Sequence, residues 1–144
     1  YFGINAFKFT NAKGHVTFGR YQLRPMAGEH FLTQEQLNTM DPDYLSAEIR
    51  ERLRRGPAKF TLLLQVAEKG DKIDDPSIAW PDSRKQIKLG TISITKAVAD
   101  SQAAEKKLLF MPGALVPGIE AADPMIAARS ASYVVSLSRR AQAQ

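Results

Sequence analysis

Residues 115–140, LVPGIEAADPMIAARSASYVVSLSRR, join a turn to a helix and decide the fold at the C-terminal end of this chain. Proline and glycine in the first half prevent regular structure, whereas Asp123 can cap a helix and Pro124 suits its first position. The residues that follow are apolar around most of the helix circumference, and such a helix is normally buried. We therefore predict a buried helix after Pro124.

A polar stripe runs along this predicted helix. At about 100° per residue, five side chains fall within roughly 80° of one another: Met125, Arg129, Tyr133, Ser136 and Arg140. Arg129 lies one turn before Tyr133, a spacing at which helix side chains meet, so its guanidinium could donate to the phenolic oxygen and favour the phenolate. Because buried guanidiniums and phenols without partners destabilise a fold, the stripe predicts a ligand.

Two interpretations of the stripe are open from the residues alone. Arg140 could bind a carboxylate and a phenolate could bind a metal, so haem, with its propionates and its iron, would fit both groups. Alternatively, Tyr133 packs its ring and satisfies its hydroxyl locally while the arginines face solvent, as such residues commonly do. The spacing does not decide between the two.

Seven motifs follow one another along the chain. They are FGINAFKFTNAKG at 2–14, DPDYL at 41–45, FTLLLQV at 60–66, AWPD at 79–82, LGTISI at 89–94, LLFMPGALVPGIE at 108–120 and RSASY at 129–133. Together these segments resemble the second half of the catalase core, and most closely the short catalase-related peroxidases, also called minimal catalases. The RxxxY pair on the helix after the PGIE turn is the most specific of them.

The resemblance implies roles for five residues. Tyr133 is implied to be the proximal haem ligand and so the metal-binding residue, with Arg129 as its hydrogen-bonding partner and Arg140 as a contact of a haem propionate. Phe110 and Met125 stand where the family lines the haem pocket. The implied cofactor is haem b, with its iron.

Departures from the family's pattern limit what the resemblance implies. The peroxide-cleaving histidine and its asparagine partner lie upstream of Phe2 in the family, and the two histidines of this chain, His15 and His30, lie outside that motif. We therefore identify no catalytic residue in this segment and expect both groups in an upstream segment. Larger catalases carry histidine where this chain has Asn5 and Asp82, so we expect neither a haem contact from position 5 nor a bound nicotinamide nucleotide.

The expected fold class is α+β. Residue patterns predict strands at 5–10, 15–23, 59–66 and 86–95, helices at 33–39 and 44–55, and a long loop at 68–84 with Trp80 as its hydrophobic anchor. The resemblance places these strands in the second half of an eight-stranded antiparallel barrel, the catalase-like haem-dependent fold, with helical connections and a C-terminal helix that carries the proximal ligand. Residues 1–144 would then be a single domain or part of one, the C-terminal half of a catalase-like core. Half a barrel leaves two exposed edges, so we expect a homo-oligomer or pairing with the missing N-terminal half.

The expected function follows from the resemblance. It implies a haem-dependent peroxidase or catalase-like oxidoreductase that acts on hydrogen peroxide or organic peroxides, with a small organic electron donor as a candidate partner. Cleavage of peroxide needs a distal base to move a proton, so the isolated 144 residues are expected to hold haem without the complete reaction. The alternative is a non-catalytic haem-binding or structural fragment that lacks the distal histidine.

The composition excludes several classes of protein. The absence of cysteine excludes disulfides, iron–sulfur clusters and a thiolate-ligated haem. The net charge of +5 comes largely from basic residues with acidic neighbours, and no nucleic-acid motif accompanies them, so we expect no nucleic-acid partner. No apolar run approaches the roughly 18 residues of a membrane span and no signal peptide is visible, so we expect a soluble protein, and the choice between cytoplasm and periplasm stays open.

Overall fold

One antiparallel sheet organises the part of the chain that the structure, a computed structural model, describes, residues 1–142. Residues 143 and 144, the end of the predicted domain, lie outside the described residues. The strands are β1 (Phe7–Thr10), β2 (Val16–Pro25), β3 (Ala58–Val66), β4 (Gln86–Ile94) and β5 (Ile119–Ala121). They lie in the order β4-β3-β2-β1-β5, so β4 and β5 form the edges of a sheet that is open within residues 1–142. The α+β class is confirmed, and a closed eight-stranded barrel stays a prediction.

Helices connect the strands and end the described chain. They are α1 (Gln34–Thr39), α2 (Tyr44–Arg55), α3 (Ser101–Glu105) and α4 (Met125–Gln142). α1 begins with a capping box in which the side chains of Thr33 and Gln36 each accept from the other residue's backbone N–H. α3 was not predicted, because five residues are too few for a periodic pattern; Asp100 caps it by accepting from the N–H of Ala103 at 2.9 Å. None of the helices within residues 1–142 has the length and apolar character needed to cross a membrane.

β5 is a strand where the sequence predicts only irregular structure. The turn before it ends at Gly118, whose φ of 86° favours glycine, and the Gly118 carbonyl accepts from the N–H of Thr10 at 2.8 Å. β5 then pairs with β1, and Lys8 forms an ion pair with Glu120 across the two strands at 3.1 Å. Three residues are too few to show the alternation of a strand. This short pairing brings the chain back to β1 immediately before α4 begins.

The core lies against β2 and β3 and is closed by the loop between β3 and β4. Leu64 is buried and packs over Gly19, where a Cβ atom would lie 2.6 Å from the Leu64 Cδ1. Trp80, the predicted anchor of the loop, is buried and donates its indole N–H to the carbonyl of Lys72 at 2.8 Å. The anchoring role predicted for this tryptophan is therefore confirmed.

The prediction that α4 is buried is wrong. Among the described residues of α4, Ile126 alone is buried, whereas Val134 and Val135 are about half exposed. The apolar residues of α4 lie all around its circumference, but its contacts are with the segment before β1, through Arg129, and with the turn that precedes the helix. That contact includes the Ser130 hydroxyl, which accepts from the N–H of Gly113 at 3.1 Å. Apolar content alone therefore overestimates the burial of this helix.

Candidate functional site

A hydrogen-bonded chain of four side chains joins the segment before β1 to α4. Asp123 accepts from the Asn5 side-chain N–H at 2.9 Å, and the Asn5 side-chain oxygen accepts from Nη1 of Arg129. Nη2 of Arg129 in turn donates to the phenolic oxygen of Tyr133 at 3.1 Å. Asp123 and Asn5 are 2% and 5% exposed, while Arg129 and Tyr133 are partly buried. This series of hydrogen bonds thus runs from the protein interior to the side of α4.

The start of α4 sets this geometry. Asp123 caps the helix as predicted, because its second carboxylate oxygen accepts from the N–H of Met125 at 2.8 Å. Arg129 and Tyr133 follow at positions one turn apart, and the guanidinium carbon lies 5.8 Å from the centroid of the tyrosine ring. The hydrogen bond predicted between these two side chains is present in the structure.

The far end of the stripe is fixed by Arg140. Its Nη1 donates to the Ser136 hydroxyl at 2.9 Å, and its Nη2 donates to the carbonyl of Leu108 at 2.7 Å. Its Nε is buried and has no hydrogen-bond partner within residues 1–142. A guanidinium has five N–H donors, so Arg140 retains donors beyond these two bonds.

An open groove lies beside the stripe, between α4 and the segment that precedes the PGIE turn. Its volume is about 380 Å³, and it is lined by Leu109, Phe110, Met111, Pro112, Arg129 and Tyr133. Phe110, which the resemblance places in the pocket, is 78% exposed at this groove. Met125 is 46% exposed and does not line it. The structure thus brings Phe110 together with Arg129 and Tyr133, and leaves Met125 outside the groove.

The sequence prediction missed the buried half of the hydrogen-bonded chain. In the sequence, Asn5 stands out only as a departure from larger catalases, and Asp123 only as a helix cap. The two residues are 118 positions apart, so no local spacing indicates their contact. The available signal was Asn5 itself, a polar residue next to a strand in one of the motifs that carry the resemblance. The histidines His15 and His30 are exposed and do not line the groove.

A second buried arginine lies on β2. Arg20 is 4% exposed, and its guanidinium donates to the carbonyls of Lys72, Asp75 and Ile78 at distances of 2.7 to 3.3 Å. Its guanidinium carbon lies 4.2 Å from the centroid of the Trp80 ring. Burial lowers the pKa of Arg20 from its ordinary value, partly opposed by the attraction of nearby carboxylates, of which Asp123 acts most strongly.

Comparisons with known proteins identify the family. The family model described as Catalase matches residues 1–143, so the chain belongs to the catalase family, as its motifs predicted. Two relatives named catalase-related peroxidase are similar over 97% of the chain, with 36% identity in Synechococcus elongatus and 34% in Mycolicibacterium paratuberculosis. The chain spans 42% and 45% of the lengths of these two relatives.

Solved structures share the fold. Catalase A from Saccharomyces cerevisiae superposes with a TM-score of 0.83 at 23% identity, covering 95% of this chain and 30% of the yeast chain. A structure titled as a bacterial catalase gives a TM-score of 0.82 at 20% identity, with 96% and 29% covered. At such identities the likeness shows the fold alone, and it confirms the catalase-like fold for the sheet and helices described above.

Proposed function

We propose that this chain supplies the proximal, cofactor-holding part of a haem-dependent oxidoreductase that acts on hydrogen peroxide or organic peroxides, as a peroxidase or a catalase-like enzyme. Membership of the catalase family and two relatives named catalase-related peroxidase support this reaction class. The observation that carries the proposal is the hydrogen bond from Arg129 to Tyr133 at the wall of an open groove.

The groove and its polar groups fit haem. Tyrosine oxygen is a ligand type that haem iron accepts in catalases, and an adjacent guanidinium favours the anionic oxygen that binds a metal. Arg140 keeps N–H donors beyond its two observed bonds, and a carboxylate is the group that a guanidinium binds best. Leu109 and Phe110 give the groove an apolar wall.

Each residue of the site then has a separate task. Tyr133 would hold the iron through its phenolic oxygen, and Arg129 would stabilise the negative charge on that oxygen. Arg140 would hold a propionate, and Phe110 would contact the apolar part of the cofactor. When bound, haem b would supply the iron-centred redox chemistry that peroxide reactions need.

Proton transfer is not assigned to any residue of this chain. Peroxide cleavage needs a base close to the reacting oxygens, and His15 and His30 do not line the groove. We propose that an upstream segment of the native protein supplies this base, and that another copy or that segment covers the sheet edges. The peroxide and a small organic electron donor are the proposed small-molecule partners.

The test is a haem titration of the full-length native protein followed by absorption spectroscopy. Tyr133→Phe removes the proposed ligand oxygen, and Tyr44→Phe is the matched control, because Tyr44 is also partly buried on a helix but lies outside the groove. We expect a Soret band with a high-spin ferric charge-transfer pattern that Tyr133→Phe alters or abolishes and that Tyr44→Phe retains. If the native protein binds no stoichiometric haem, or if both variants keep the same spectrum, the proposal fails.

A further inference from the structure

A second groove lies between the second half of α2 and the residues that follow β4. We call it the α2 groove, and its lining residues are Arg50, Leu53, Arg54, Thr95, Lys96 and Ala97. It lies at the end of the sheet where Ile94 of β4 pairs with Ala58, the first residue of β3. The loop that holds Trp80 leaves β3 at the opposite end, and the candidate haem groove is lined by other residues. The α2 groove is thus separate from both regions described above.

Positive charge dominates the α2 groove. Arg50, Leu53 and Arg54 are spaced three and four positions apart, so they share one side of the helix. Lys96 adds a third cation from the segment after β4, and none of the lining residues within 1–142 is acidic. The groove has a volume of about 290 Å³, close to the lower end of the range for small-molecule sites. It therefore combines three cations with room for a small ligand.

The guanidinium of Arg50 is held in place at this groove. Its Nη2 donates to the hydroxyl of Ser101 at 3.0 Å, and its Nη1 lies 3.4 Å from the carbonyl of Val98 that accepts from it. Both partners belong to the segment after β4, so these bonds join the two walls of the groove. A guanidinium has five N–H donors, and Arg50 keeps donors for a ligand beyond these two bonds. The ligand would meet an arginine that is already oriented.

The acidic residues of α2 do not neutralise the groove. Glu51 pairs with Arg54 at 2.7 Å, and Glu48 pairs with an arginine outside the groove. Arg50 and Lys96 form no ion pair with any carboxylate in the part of the chain that the structure describes. Two cations of the groove therefore keep their full charge, and the third shares its charge with Glu51.

A phosphate group matches this arrangement better than a carboxylate does. A phosphate monoester carries a charge of about −1.5 to −2 at neutral pH and three strong acceptor oxygens, so it can accept from several separate cations at once. We propose that the α2 groove binds the phosphate group of a small soluble phosphate monoester. Arg50 and Lys96 hold the phosphate, Arg54 adds a weaker contact, and Leu53 and Ala97 contact the organic part.

The experiment is isothermal titration calorimetry on the full-length native protein at constant ionic strength. The probes are glycerol phosphate, inorganic phosphate and acetate. Arg50→Met and Lys96→Met each remove one cation of the groove. Arg55→Met is the matched control, because it removes an exposed positive charge from the same helix at a position that does not line the groove.

We expect glycerol phosphate to bind stoichiometrically, more tightly than inorganic phosphate and much more tightly than acetate. Arg50→Met and Lys96→Met should each raise its dissociation constant about three- to tenfold, since charge-assisted bonds at an open site contribute less than buried ones. Arg55→Met should leave the dissociation constant within about twofold of the native value, because solvent and salt screen an exposed charge outside the groove.

A change in the opposite direction sharpens the test. Glu51→Gln releases Arg54 from its ion pair, so it should lower the dissociation constant of glycerol phosphate about two- to threefold. Glu48→Gln removes the same charge from the same helix but releases an arginine outside the groove, and it should have little effect.

The outcomes also separate this inference from the proposed function. No binding of glycerol phosphate, equal weakening by Arg55→Met and the two groove variants, or acetate binding as tight as that of glycerol phosphate would overturn it. Binding to vesicles that contain phosphatidic acid, without binding of glycerol phosphate, would also overturn it and would indicate a membrane-surface contact. The haem spectrum should be native in every variant, so failure of the phosphate site leaves the haem proposal standing. Lys96 forms no hydrogen bond within residues 1–142, so Lys96→Met tests the site even if Arg50→Met unfolds.

Discussion

Arg20 and Arg129 both lie near Asp123, yet their surroundings differ. Arg20 is enclosed, because backbone carbonyls of the loop between β3 and β4 accept from its guanidinium and the Trp80 ring covers one face. Arg129 lies at the wall of an open groove, and its partners are two side chains, Asn5 and Tyr133. One arginine is surrounded by backbone, whereas the other connects a buried amide to an accessible phenol.

This difference indicates where a ligand can bind. The backbone carbonyls that accept from Arg20 cannot be replaced by a ligand unless the loop leaves the sheet. We therefore expect substitution of this arginine to change the free energy of unfolding. Side chains beside the groove can bind a ligand while the backbone stays in place, so we expect Arg129 and Arg140 to act on haem affinity. The predictions that follow test this division, from the largest expected effect to the smallest.

Arg20→Met should give the largest loss of stability. The substitution leaves the carbonyls of the loop without a charged donor, and hydrogen bonds to charged groups contribute about 1.5 to 3 kcal/mol each. We expect the free energy of unfolding, measured by urea denaturation, to fall by about 2 to 4 kcal/mol. The haem spectrum of the folded variant should be native.

The matched control is Arg24→Met, on the same strand but exposed. Its free energy of unfolding should stay within about 0.5 kcal/mol of the native value. A loss in Arg20→Met no larger than that of Arg24→Met, or a changed haem spectrum, would contradict the division between the two regions.

Arg140→Met should weaken haem binding with a smaller effect on stability. Charge-assisted hydrogen bonds to a carboxylate contribute about 1.5 to 3 kcal/mol, so we expect the haem dissociation constant to rise about tenfold or more. Arg139→Met is the control, since Arg139 is adjacent on α4 and exposed. Equal dissociation constants for the two variants would show that Arg140 does not bind a propionate.

Trp80→Phe should lower stability by less than Arg20→Met does. Phenylalanine keeps an aromatic face beside Arg20 and loses the indole N–H that donates to Lys72. Removing one such hydrogen bond should lower the free energy of unfolding by about 1 kcal/mol in the same urea experiment. A loss larger than that of Arg20→Met would show that the indole, not the guanidinium, is the main anchor of the loop.

Much of the sheet was predictable because its strands carry local signals. β3 and β4 were predicted to within one residue at each end, since each shows a run of β-branched and apolar residues between turn signals. α2 was predicted with both of its boundaries, because Gly56 directly follows its last residue, Arg55, and stops the helix. β5 and α3 were missed because elements of three and five residues contain less than one full pattern.

The candidate site was predictable only where its partners are neighbours along a helix. The spacing of Arg129 and Tyr133 indicates their hydrogen bond directly. The contact of Asn5 with Asp123 depends on β5 returning the chain to β1, and neither that pairing nor the exposure of α4 follows from local periodicity. Tertiary packing decides both. Sequence patterns therefore predict the Arg129–Tyr133 pair beside the groove and do not predict the buried contact of Asn5 with Asp123.

Arg84→Met should give the smallest effect, and one that depends on pH. Arg84 donates to both oxygens of Asp71 at 2.9 and 3.0 Å, and this hydrogen bonding holds the pKa of Asp71 below its ordinary value of 3.8. A carboxylate whose pKa is lower in the folded state adds stability above its unfolded pKa and loses that stability as the pH falls through its folded pKa. The native protein should therefore be more stable than Arg84→Met at neutral pH in urea denaturation, and the difference should shrink below about pH 4.

Arg55→Met, at the exposed end of α2, should show no such trend. A difference that stays constant into strong acid would mean that Arg84 holds the loop by packing alone, and an altered haem affinity would mean that the enclosed region and the groove are not separate.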